Sequence, residues 1–150
     1  MIRYLRFGIA LIFVTACSSD PFSPVEERAL AAAEERWQAA GPESYTFEYL
    51  ESCFCEPFGW LRIAVQDGTV ATVVYADSTH VAVEPAEWPT VEDLFERIRQ
   101  LAEGGSSHGR DLEVEFDAAL GYPTSIHLSY DSSVQDAGVV YSVRNFTVEP

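Results

Sequence analysis

Cys53 and Cys55 are the side chains in this sequence whose type and spacing most directly suggest chemistry. They stand two positions apart in "ESCFCEPFGW" (51–60). Such a pair can close a disulfide, hold a soft metal ion or cycle as a redox centre. On an extended strand, residues i and i+2 point to one face with Cα atoms about 7 Å apart, the outer edge of disulfide geometry. A bond therefore requires the chain to pinch at Phe54. Glu56-Pro57 and Phe58-Gly59 suit a strand that ends and turns there. Closing so small a loop contributes only about 1–2 kcal/mol, and a strained bond is reducible, as a redox centre requires. Redox thiols usually sit at a helix N-terminus or beside a cation. The neighbours here are Glu51, Glu56 and aromatic rings, which disfavour a thiolate. The spacing favours a structural disulfide between Cys53 and Cys55 and leaves metal binding and thiol redox as the alternatives.

A metal reading needs more ligands. The histidines are His80, His108 and His127, and none forms a ligand pair at zinc-site spacing. Glu113, Glu115 and Asp117 alternate onto one strand face and could bind a hard cation, yet three carboxylates in a row more often mark a solvated or edge-protected face. "DSSVQD" (131–136) lacks the glycine and terminal glutamate of a calcium loop and reads as a turn. There is no H-E-x-x-H and no glycine-rich phosphate loop. The sequence thus assigns no catalytic residue, no metal ligand and no cofactor, and a non-catalytic binding or structural module is expected rather than an enzyme. Phe54, Phe58 and Trp60 cluster at the strand–turn–strand edge beside the cysteines. They are the expected contact surface for a partner.

The third cysteine carries the address. "MIRYLRFGIALIFVTACSSD" opens with Arg3 and Arg6 and continues into an unbroken apolar run, Phe7 to Ala16. Ten residues are too few to cross a bilayer, so the run is a secretory signal. Val14-Thr15-Ala16-Cys17 resembles the lipobox of bacterial lipoproteins. The resemblance implies a signal peptide over 1–16, diacylglyceryl transfer to the Cys17 sulfur and N-acylation with a chain such as palmitate. Residues 17–23 would then form the lipidated cysteine and tether, and 24–150 a single domain. Ser18 after the lipidated cysteine implies the outer membrane, facing the periplasm, if the host is Gram-negative. In that exported compartment disulfides persist. Loss of Arg3 and Arg6 takes the net charge from −15 to −17, with no lysine in the chain. That balance argues against nucleic acid and against electrostatic docking on anionic lipid. Membrane affinity is left to the acyl chains, each buried methylene contributing about 0.8 kcal/mol, and the remaining expected partner is another envelope protein.

The elements that must position these residues are legible. Ser23-Pro24-Val25-Glu26 is a helix start with a capping box, and "VEERALAAAEERWQAA" runs to Gly41-Pro42 with Val25, Ala29, Ala32, Ala33 and Trp37 on one face. "SYTFEYLESC" alternates as a strand, with Tyr45, Phe47 and Tyr49 together. "WLRIAVQDGTVATVVYA" is a hairpin about Asp67-Gly68. "EPAEWP" breaks the pattern. Thr90 and Asp93 then cap a second helix, whose stripe is Val91, Leu94, Phe95, Ile98, Leu101 and Ala102 and whose end is Gly104-Gly105. "DLEVEFD", "YPTSIHLSY" (Tyr122, Thr124, Ile126, Leu128 and Tyr130 together) and "VVYSVRNFTVE" are three more strands. The expectation is an α+β domain in the order α-βββ-α-βββ, with a mainly antiparallel sheet of about six strands and two principal helices on one side.

The set "YTFEY…CFC", "VQDGTV", "TVEDLFERI", "VEFDAALGYPTSI" and "YSVRNF" resembles a family of small bacterial lipoproteins known only as a domain of unknown function. The resemblance runs from Trp37 to Phe146 and is most specific at Cys53–Cys55 and Gly121–Thr124. It implies one envelope domain and brings no activity with it.

Overall fold

The computed structural model describes residues 23–53, 59–77, 84–103, 111–130 and 138–149. Helix α1 is Pro24–Ala40, and strands β1 (Tyr45–Cys53), β2 (Leu61–Gln66) and β3 (Thr69–Tyr75) follow it. Helix α2 is Val91–Glu103, followed by β4 (Asp111–Phe116), β5 (Pro123–Ser129) and β6 (Gly138–Val148). The fold is α+β: one six-stranded antiparallel sheet and two helices. The expected order lacked one element, a single 3₁₀ turn at Pro85–Glu87 between β3 and α2. It occupies the stretch where "EPAEWP" interrupts the strand pattern.

Both helix starts form as their residues dictate. Ser23 Oγ accepts from the Glu26 amide at 3.3 Å while a Glu26 carboxylate oxygen accepts from the Ser23 amide at 2.6 Å. Thr90 and Asp93 reciprocate in the same way, at 3.1 and 2.9 Å. The face of α1 differs from the expected one. Ala29 and Ala32 are exposed, Ala33 and Trp37 are buried, and Leu30 packs against the core. Positions 30, 33 and 37 make the narrower stripe.

The strand order is β3-β2-β1-β6-β5-β4. Two three-strand meanders therefore join at the centre, where the first strand of one pairs with the last strand of the other. Both helices pack on the face carrying Tyr45, Phe47, Tyr49, Leu61, Ile63, Val65, Leu112, Ile126, Leu128, Val139, Tyr141 and Val143, all of them buried. The β2–β3 turn has Asp67 and Gly68 at φ +50° and +71°, the left-handed pair that Asp-Gly supplies in a tight hairpin.

Three bulges reset the inside–outside alternation. In β3 the register skips Ala71, since Thr72 pairs with Ala64 and Val70 with Val65. In β5 it skips Thr124, which takes that residue out of the expected grouping of Tyr122, Thr124, Ile126, Leu128 and Tyr130. Pro123 becomes a buried position, Tyr122 still packs against the core, and Tyr130, past the end of β5, is 41 % exposed. In β6, Asn145 adopts φ +53°, and β1 residues Thr46 and Glu48 pair with Thr147 and Arg144 across the irregularity. The extra residue turns Phe146 inward to stack on Tyr45 and Tyr122, at centroid distances of 5.2 and 4.4 Å.

Asp117 also departs from expectation. It lies past the end of β4, where its carboxylate accepts from the Ala119 and Leu120 amides at 2.9 and 2.7 Å. An aspartate that caps a turn in this way is removed from the Glu113–Glu115 row.

Candidate functional site

The sheet face away from the helices has no described element packed on it, and one carboxylate on it is buried. Glu48, midway along β1, is 7 % exposed although every second residue of its strand on that face looks outward. Its register partners explain the burial. Arg62 on β2 and Arg144 on β6 lie opposite it on either side. An Arg62 Nη donates to Glu48 Oε1 at 3.2 Å, and Arg144 Nε donates to Oε2 at 2.9 Å. Asn145 Nδ2 adds a third donor to Oε2 at 2.9 Å.

The β6 bulge makes this convergence possible. In a regular strand Arg144 and Asn145 would face opposite sides, whereas the left-handed Asn145 lets both reach one carboxylate. Burial alone would push the Glu48 carboxyl up. Hydrogen bonds from Arg144, Asn145 and Arg62 outweigh it and hold the group below the ordinary carboxylate range. A carboxylate held ionised by three donors has no proton to give and little affinity for one, so it serves as an anchor for guanidinium groups rather than as an acid or base.

Trp60 meets this cluster from the loop before β2. The Arg144 guanidinium lies 3.7 Å from its ring centroid, close enough for a cation–π contact. Of the expected contact residues, Trp60 is thus half-buried beneath an arginine rather than presented as a bare apolar surface. Phe54 and Phe58 lie outside the described residues. Cys53 ends β1 opposite Val139 on the helix-side face and packs against the core. Cys55 and Cys17 lie outside the described residues.

Other candidates are placed as follows. His127 is exposed, its Nδ1 3.7 Å from a Glu113 carboxylate oxygen, and an exposed pair of this kind contributes little. Glu115 shares that face, one register step away opposite Ser125. His80, His108 and the 131–136 segment fall outside the described residues. Among the described residues no three His, Cys, Asp or Glu side chains converge as metal ligands.

A second polar network, on the helix side, joins three elements. Trp37 Nε1 donates to Glu92 at 2.7 Å, the Tyr45 hydroxyl donates to Glu92 at 3.3 Å, and the Val91 amide donates to the Tyr45 oxygen at 3.0 Å. Burial pushes the Tyr45 hydroxyl well above its ordinary range. Arg99 pairs with Glu34 and, at 3.1 Å, with Glu96, tying α2 to α1. Every group in this network is committed to docking the helices, which marks it as structural.

Sequence reasoning missed the Glu48 cluster. One signal was present: a glutamate at the centre of the aromatic run "YTFEYL", which a fully solvated strand face would not need. Its partners lie 14 and 96 residues away, so only the strand order reveals them. No curated protein and no solved structure matches the chain. A family model does match it, over residues 29–148, which takes in both helices' packing faces, all six strands and the Glu48 cluster. The chain belongs to this family, DUF6174, a family of unknown function.

Proposed function

We propose that this is a lipid-anchored protein of the bacterial cell envelope, acylated at Cys17 after removal of residues 1–16. It acts as a non-catalytic binding module for another envelope protein. The observation that carries the binding half is the Trp60–Arg144 stack. It joins the two residue types most enriched at interface hot spots, on a sheet face that no described element covers. Phe54 and Phe58, close to Trp60 in sequence, are the further contact residues of this reading. Cys53–Cys55 closes the turn as a disulfide, which persists in an exported compartment. A closed turn loses less entropy when a partner docks. The anchoring half rests on the apolar run and on Val14 to Cys17. A tether of seven residues, 17–23, keeps the domain within about 25 Å of the bilayer at 3.3–3.6 Å per residue. In a Gram-negative host the protein faces the periplasm from the outer membrane.

Mass spectrometry of the mature N-terminus tests the anchor. The expected species begins at Cys17 and carries acyl chains. A soluble, unmodified chain beginning at any other residue contradicts it.

A further inference from the structure

The cluster on the uncovered sheet face has hydrogen-bonding capacity left over. Arg144 commits only its Nε to Glu48, and Arg62 commits a single Nη, shared between Glu48 and the Ala76 carbonyl. The other guanidinium N–H groups of both residues make no hydrogen bond among the described residues. One carboxylate between two guanidinium groups leaves a local surplus of positive charge. The two arginine side chains are 49 % and 50 % exposed, while the Glu48 side chain beneath them is only 9 % exposed.

The arrangement is built rather than incidental. The two oxygens of one buried carboxylate each hold one cation, and Trp60 fixes Arg144 from a second direction. Guanidinium groups held in place have less entropy to lose when they bind, and their forked N–H geometry matches an oxyanion. The charge of the chain selects the size of the occupant. At a net −15 the protein repels polyanions over long range. A small group with one or two charges is held by short hydrogen bonds and is far less affected. We infer that Arg62 and Arg144, positioned by Glu48 and Trp60, form a binding site for a small oxyanion, a phosphate or a carboxylate. This goes beyond the partner contact proposed above and holds whether or not the chain is lipidated.

The test titrates the purified full chain with inorganic phosphate, glycerol 3-phosphate or acetate at constant ionic strength. The readouts are the NMR signals of the Arg62 and Arg144 Nε–H groups and the Trp60 indole N–H. Saturable shifts with dissociation constants of about 1–10 mM are expected, the range of a few unassisted hydrogen bonds. Arg144→Gln and Arg62→Gln should each weaken them at least tenfold. Tighter binding of glycerol 3-phosphate than of inorganic phosphate points to a lipid headgroup as the source; the reverse points to free phosphate. Saturation by acetate alone makes the ligand a carboxylate. If Arg144→Gln does not fold, Arg62→Gln carries the comparison. Linear shifts equal to those from added chloride, or saturation that survives the substitutions, overturn the inference.

Discussion

Gly121→Ala is expected to destabilise the domain by about 2–5 kcal/mol, although it adds a single methyl group. Gly121 has φ +86°, a conformation that costs an L-residue about 1–3 kcal/mol. An added Cβ would also lie 2.3 Å from the Ala33 carbonyl oxygen and 3.1 Å from Arg36 Cβ. Those atoms belong to the packing face of α1, so the helix must move off the sheet and overpacking adds about 1–3 kcal/mol. Gly68→Ala is the internal comparison. Its φ is +71°, yet nothing lies within 4 Å of the Cβ position. It should carry only the backbone cost. Urea denaturation of both variants measures the difference, and equal losses would mean that α1 does not rest on Gly121.

Trp37→Ala is expected to cost about 3–5 kcal/mol, the range for a buried aromatic truncated to a cavity. Trp37 is 5 % exposed and meets Tyr45 and Phe146 edge-on at 5.4 and 5.9 Å. Its indole N–H donates to Glu92, so it also bridges α1 to α2. Trp37→Phe keeps most of the ring and removes that donor. It should cost about 1.5–3 kcal/mol, as for a hydrogen bond to a charged group. Because α1 is held by the single row Leu30, Ala33 and Trp37, the alanine variant should lose amide protection in α1 before β1 and β6. A loss under about 1 kcal/mol, or uniform loss of protection, would show that α1 docks by other contacts.

Both positions illustrate what the sequence discloses. Strand alternation in "DLEVEF", the Asp67-Gly68 hairpin and the two capping boxes are local signals, and each marks the element seen. Trp37 could be placed on a buried face by period alone. The bulges at Ala71, Thr124 and Asn145 could not be placed, because alternation is interrupted only once a partner strand sets the register. For that reason Thr124 falls out of the alternation that links Tyr122 to Ile126 and Leu128. The same effect hid Asn145, whose left-handed backbone brings Arg144 and Asn145 onto one carboxylate. Glu48 reads as a solvated strand residue until β2 and β6 are known to flank β1. On α1, period alone points to a face with Ala29 and Ala32, and only docking on the sheet selects the stripe through Leu30.

The most direct test of the central claim, that the Trp60–Arg144 end of the sheet contacts an envelope partner, is photo-crosslinking in native membranes. A photoreactive amino acid replaces Ser52, which is exposed at the end of β1 nearest the cysteine turn. The predicted result is one discrete adduct with an envelope protein. Adding Trp60→Ala should abolish it while the melting temperature changes little. No adduct, or an adduct of equal yield in the Trp60→Ala background, contradicts the proposed binding surface.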